Sequence, residues 1–159
     1  IYPDSRTLAE IAVQTAKVAK RFGVKPRVAM LSFSNFGTSS EMRTDRVEEA
    51  ISIARELDPD LIIDGPMQAD TALVPEIQKE YPFMSFDGPA NILICPNLAS
   101  ANIAYKLLQR IAGAEMTGPI LEGLSKPAHV LQRGDSVRDV VHMAAICAVD
   151  AQRYDWQKL

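Results

Sequence analysis

Apolar side chains recur along this sequence at two spacings, and the change from one to the other marks its elements. Leu8, Ile11, Ala12, Val18, Ala19 and Phe22 share one face of a helix that Asp4 or Ser5 would cap and Gly23 would stop. The next apolar run, "RVAMLSF", is short and lies between Pro26 and Gly37, which predicts a buried strand. Val47, Ala50, Ile51, Ala54 and Leu57 return to helical spacing from about Asp45, and Pro59 ends that helix. "LIIDG" and "NILICP" read as two further strands, separated by a proline-punctuated stretch from Gly65 to Pro89. Asn97 can cap a helix reaching about Ile111, with Ala101, Ala104, Leu108 and Ile111 set to pack on a sheet and Gly113 as its stop. "PILEGL" and "AHVLQ" are short strand candidates divided by Lys126 and Pro127. A last helix opens at Ser136 and carries Val137, Val140, Val141, Ala144, Ala145, Ala148 and Val149 at helical intervals. Helices alternating with continuous apolar strands predict an α/β fold, its largely parallel sheet flanked by helices.

Composition changes this picture little. With 159 residues, 47% hydrophobic and 23% charged, the chain can build one core or be a piece of something larger. It begins at Ile1 and enters a helical pattern almost at once, which predicts a segment of a longer protein. A net charge of −3 gives no basic excess that would favour nucleic acid. No apolar run approaches the roughly 20 residues that span a bilayer, and nothing resembles a signal peptide, so a cytoplasmic protein with no membrane partner is expected. Cys95 and Cys147 sit in apolar runs without zinc-type spacing and are expected to be buried thiols. His129 and His142 are the only imidazoles, too few for a His/Cys metal site or a Ser-His-Asp order.

Ligands of open α/β sheets gather beyond the carboxyl ends of the strands, which directs attention to the loops that follow them. "SFSNFGTSS" offers Ser32, Ser34, Asn35, Thr38, Ser39 and Ser40 around Gly37. It is neither a dinucleotide fingerprint nor a phosphate-binding P-loop, so it is either a polar ligand loop or a solvated turn into the next helix. Lys106 and Arg110, four residues apart, point from one helical face; they are a solvated pair or, with Lys126 and Arg133, a cationic cluster suited to a phosphorylated ligand. In "KPAHVLQRGDSVRD" Asp139 follows Ser136 by three residues, the spacing of a capping box with Asp in place of Glu. His129, on an apolar stretch, reads as a satisfied rim or core residue rather than a base.

Taken together, "LSFSNFGTSS", "DGPMQADTAL", "PNLASANIAYKLLQRIAGAEMTGPILEGLSKPAHVL" and "RGDSVRDVV" resemble the phosphotransacetylase family over essentially the whole chain. The wording "SFSNFG", "ANIAY" and "VLQR" is similar above all to the phosphotransacetylase-like C-terminal domain of multi-domain NADP-dependent malic enzymes. The resemblance implies a two-part architecture of the isocitrate/isopropylmalate dehydrogenase type. Residues 1–119 would be its second subdomain, incomplete at the start, and residues 120–159 a return into the first. Active members move an acetyl group between coenzyme A and phosphate, using a Ser-Arg-Gly motif with an Asp six residues beyond the Arg.

Arg133 and Asp139 match that Arg and Asp, the latter as base for the thiol, whereas Gln132 stands where the Ser belongs. Arg110 matches an Arg associated with the phosphate end of coenzyme A, and Pro66 replaces an acidic residue. The resemblance therefore implies an acetyl-CoA or acyl-CoA site of Ser34, Asn35, Asn102, Lys106, Arg110, Lys126, Gln132 and Arg133, without metal and without catalysis. Three functions stay open: a regulatory, oligomerising acetyl-CoA sensor of a malic enzyme, an active phosphate acetyltransferase using Arg133 and Asp139, and a purely structural dimerisation domain. In the first, NADP and a divalent metal belong to the malic enzyme domain of the same longer chain, and the partners are acyl-CoA and further copies of the protein.

Overall fold

A computed structural model describes residues 2–37 and 42–153. The predicted rim residues Thr38, Ser39 and Ser40 lie outside them. The chain divides into two compact units, Ile1–Lys106 and Leu107–Leu159. In the first unit α1 (Ser5–Arg21) leads to β1 (Val28–Leu31), α2 (Met42–Leu57) and β2 (Ile63–Met67). The short helices α3 (Ala69–Leu73) and α4 (Pro75–Gln78) then precede β3 (Ile92–Ile94) and α5 (Leu98–Ile111), which reaches into the second unit. The three strands are parallel in the order β2-β1-β3, as the α/β reading expects.

Strand alternation, interrupted in β2 by a register irregularity between its pairings with Ala29 and Leu31, divides the core between the two sheet faces. Val28, Met30, Ile63, Ile92 and Ile94 meet α1 and α2 on one face, while Ala29 and Met67 meet Ala72, Phe86 and Ala90 on the other. The buried face of α1 runs through Leu8, Ala9, Ala12, Val13 and Ala16, so Ile11 and Phe22, expected inward, are exposed. Its alanines pack with Ala50 and Ala54 of α2, and such small side chains let the helices approach more closely than Ile11 or Phe22 would. Leu57 is likewise exposed at the end of α2. Asp4 caps α1 by accepting the Thr7 N–H at 2.8 Å.

β2 starts two residues later than "LIIDG" suggested, because Leu61 N–H bonds Asp58 O at 3.0 Å and closes a turn after α2. A Cβ on Gly65, at φ 132, would stand 2.6 Å from Met30 O, so only glycine permits the strands to lie this close. Pro66 is tolerated because β2 is an edge strand and its ring needs no ladder donor there. Asp64, a buried carboxylate on this edge strand, accepts from Gly65 N, Ser85 N and Ser85 Oγ at 2.9, 2.6 and 3.0 Å, which makes it a staple for the following loop.

In the second unit α6 (Val137–Arg153) follows a long irregular segment. "PILEGL" and "AHVLQ" are not strands: Gly118, Gly123 and Gly134 take left-handed φ, and Leu121 N–H bonds the His129 ring instead of a neighbouring strand. The faces assigned to α5 and α6 are also corrected. No residue of α5 is buried, Ile111 is 81% exposed, and Val137 and Val141 of α6 are exposed while Met143 is buried. Helical spacing reveals an apolar face but not whether anything in the same chain covers it. Cys95 and Cys147, expected to be buried, are partly exposed. Cys95 follows the outer strand β3 directly, and its partial burial pushes the thiol pKa up.

Candidate functional site

Beyond the carboxyl ends of β1 and β2 the first unit has a tied rim. Ser32 N–H bonds Met67 O at 2.8 Å and Phe36 N–H bonds Pro66 O at 2.7 Å, joining the two loops. Asn35 Oδ1 accepts the Gln68 N–H at 2.7 Å, and its Nδ2 donates to Tyr81 Oη at 3.2 Å. Gln68 Nε2 returns a bond to Phe33 O at 2.7 Å. Phe36, a non-glycine residue at φ 46, is kept in this sparsely populated region by the rings of Tyr81 and Phe83, with centroids 5.1 and 4.9 Å away. Asn35 is thus a fastener of the rim. Its neighbour Ser34 is only 8% exposed, and its Oγ has no hydrogen-bond partner, leaving one buried hydroxyl available in this loop.

Asn97 starts α5 by accepting Ser100 N–H at 2.9 Å and Ser100 Oγ–H at 3.2 Å. Asn102, Lys106 and Arg110 then follow at four-residue intervals along the helix. Lys106 Nζ lies 4.9 Å from the centroid of the Tyr105 ring, a cation–π contact. Arg110 is exposed and makes no hydrogen bond or ion pair among the described residues.

In the second unit the predicted loop is a closed turn. Gln132 N–H donates to Asp135 Oδ2 at 2.6 Å, Asp135 N–H returns to Gln132 O at 3.1 Å, and Gly134 sits at φ 95 between them. This turn displays Arg133, exposed and without a partner among the described residues, and puts the Gln132 side chain immediately before it. Lys126 is exposed in the irregular segment ahead of the turn. Ser136 then caps α6. Asp139 Oδ2 accepts both Ser136 N–H at 2.8 Å and Ser136 Oγ–H at 2.7 Å, a complete capping box. These bonds to Ser136, with Arg138 and His142 nearby, hold the Asp139 carboxyl below the ordinary 3.8. A base needs affinity for a proton, and this carboxylate has less than usual.

His129 has a side chain only 4% exposed, with Nε2 3.2 Å from Asp150 Oδ2. Leu121 N–H donates to Nδ1 at 3.2 Å, so the proton of the neutral ring sits on Nε2 and points at Asp150. Both nitrogens are engaged, which is the satisfied residue that the sequence suggested. Among the described residues no group of three or more His, Cys, Asp and Glu could hold a metal ion, and no helix is long and apolar enough to cross a membrane. Sequence reasoning missed Tyr81, which lies in the proline-punctuated stretch without any motif. Gln68 lay within a loop already marked as rim, and its position just past β2 was the only signal for it.

A parallel three-stranded sheet flanked by helices places the first unit in the α/β class. Residues 1–148 match the family model described as phosphate acetyl/butaryl transferase, and the chain belongs to that family. It is 45% identical over 152 residues to phosphate acetyltransferase of Bacillus subtilis, an alignment covering 95% of this chain and 47% of that protein. It is also 45% identical over 153 residues to NADP-dependent malic enzyme of Escherichia coli, covering 94% of this chain and 20% of that enzyme. Among solved structures, a phosphotransacetylase from Streptococcus pyogenes superposes with a TM-score of 0.90 at 45% identity, over 96% of this chain and 46% of that one. The chain thus spans about half the length of the acetyltransferases and about a fifth of the malic enzymes.

Proposed function

We propose that this chain is the regulatory, acetyl-CoA-sensing and oligomerising C-terminal domain of an NADP-dependent malic enzyme, without transferase activity of its own. The observation that carries the reading is the turn before α6. Gln132 stands ahead of Arg133, where a transferase of this family would present a hydroxyl, and Asp139 is held by Ser136 with a lowered pKa. An amide can hold a thioester carbonyl. Losing one oriented donor to the reacting centre, however, commonly costs on the order of a hundredfold in rate. What remains in the second unit suits binding: exposed Arg110 and Arg133 for the phosphates of coenzyme A.

Regulation then follows from linkage. Acetyl-CoA changes malate turnover only by binding one arrangement of the assembly better than another. NADP and a divalent metal act in the malic enzyme domain elsewhere in the longer chain, and the exposed valines of α6 offer a surface for self-association. The competing reading is an active phosphate acetyltransferase, favoured by the survival of Arg133 and Asp139 in sequence. Incubating the full-length parent with acetyl-CoA and inorganic phosphate separates the two: a sensor binds acetyl-CoA and forms no acetyl phosphate, and a transferase turns it over.

A further inference from the structure

We infer that His129 is a positioning residue for the turn that carries Gln132 and Arg133, acting as a neutral ring that ties this turn to the far end of α6 through Asp150. Both flanks of the turn meet the same helix. On one side the capping box of Ser136 and Asp139 fixes it to the start of α6. On the other, His129 stands three residues before Gln132 and reaches Asp150, near the end of that helix, with Nε2 3.2 Å from Oδ2. Asp139 and Asp150 are eleven residues apart, about 16 Å along the helix at 1.5 Å per residue. The chain from His129 to Ser136 stretches at most about 25 Å, and the closed turn between Gln132 and Asp135 takes up part of that length. Pinned at both points, it has little slack in which Arg133 could move.

The ring is built into the second unit. The side chains of His129 and Asp150 are both nearly buried. A second contact joins the same segment to α6, since Cys147, one turn before Asp150, has its Sγ 3.9 Å from Pro127 O. Nδ1 of His129 accepts the Leu121 N–H at 3.2 Å, so one neutral imidazole holds together the chain at Leu121, the approach to the turn, and α6. A proton added to Nδ1 would set two donors against each other at Leu121 and leave the Asp150 contact in place. Asp150 is the carboxylate set against the ring; Glu122 and Lys126, on the segment, are exposed, and Cys147 faces Pro127. The positioning follows from these contacts, and its consequence for acetyl-CoA rests on the sensing function proposed above.

In the full-length parent, His129→Ala should weaken acetyl-CoA binding about tenfold by calorimetry, because the turn must then be ordered on binding. His129→Gln, whose neutral amide still donates to Asp150, should restore most of the affinity, and adding Asp150→Ala to His129→Ala should weaken it no further. In the whole chain, the amide signals of Gln132, Arg133 and Gly134 should move in His129→Ala and return in His129→Gln. Acidification from about pH 8 to about pH 5, across the ordinary histidine range, should shift the Leu121 amide in the wild type and not in His129→Gln. A ring that only fills space would show neither the glutamine rescue nor this pH profile. Nitrogen shifts of the His129 ring at about pH 8 decide the matter without substitution if His129→Ala does not fold: a proton on Nε2 is expected, and one on Nδ1 would overturn the inference. Turn amides that stay in place in folded His129→Ala, or an acetyl-CoA affinity that is unchanged there, would overturn it too. If the wild type binds no acetyl-CoA while the turn amides move as stated, the sensing function falls and the positioning stands.

Discussion

In the first unit Leu8, Val28, Met30 and Ile63 are almost wholly buried between a sheet and its helices, whereas in the second the longest helix leaves Val137 82% and Val141 58% exposed. Both elements have the same helical spacing of apolar residues, and α1 and α6 are each 17 residues long. The difference is in what faces them. α1 has α2 and β3 to pack against, and alanines at the contact, while α6 has a long irregular segment held by single bonds such as Leu121 to His129. Hydrophobic burial near 25 cal/mol per Å² therefore stabilises the first unit from within, whereas α6 keeps apolar side chains exposed.

This contrast is open to direct attack by substitution. Leu8→Ala should destabilise the chain by about 3 kcal/mol, from lost transfer energy and a cavity, in urea unfolding followed by circular dichroism. Gly65→Ala should cost a similar amount, since its Cβ would strike Met30 O at 2.6 Å in a conformation that alanine avoids. Val141→Ala, at an exposed site, should change unfolding by less than about 0.5 kcal/mol. Equal costs at Leu8 and Val141 would remove the distinction between the units.

Arginine substitutions come next in size. Arg110→Ala should weaken acetyl-CoA binding by about tenfold to a hundredfold, near 1.4 kcal/mol per decade, while malate turnover without effector stays the same. Unchanged responses in both Arg110→Ala and Arg133→Ala would remove these residues from the sensor. A smaller effect is expected on assembly: the chain should sediment as a species larger than 17.5 kDa, and Val137→Ser with Val141→Ser should shift it towards that monomer mass without altering unfolding of the first unit. Sedimentation as a monomer at tens of micromolar before any substitution would refute self-association through α6.

How far the sequence alone carries the fold follows from the same contrast. The parallel α/β class, β1, α2 and the Ser136 cap were legible because each is a local signal: a short apolar run, helical spacing, a Ser three residues before an Asp. The buried face of α1 was misplaced because its contact with α2 selects alanines over the larger Ile11 and Phe22, which is a tertiary choice. "PILEGL" and "AHVLQ" failed as strands because their apolar residues say nothing of whether a neighbouring strand exists. Ser34, Arg110 and Arg133 were legible as polar or cationic residues on loops and helix faces. The fastening of Asn35 by Gln68 and Tyr81 was not, since it joins residues 33 and 46 positions apart.

The smallest effect concerns pH. The Asp139 carboxyl titrates below its ordinary value when folded, so its contribution to the α6 cap is complete above about 3.8 and is lost as pH falls through the folded value. Amide exchange of Ser136 and Asp139 should accelerate in that acid range, and Asp139→Asn should abolish the acid step. Persistence of the step in Asp139→Asn would assign it to another group.

The turn before α6 bears the central claim, and one measurement tests it: acetyl-CoA titrated by calorimetry into the full-length parent, with acetyl phosphate and malate oxidation followed in the same samples. Saturable binding that changes malate oxidation and yields no acetyl phosphate is the predicted result. Rapid formation of acetyl phosphate from acetyl-CoA and phosphate, lost on Arg133→Ala, would contradict it and make the chain part of a working transferase.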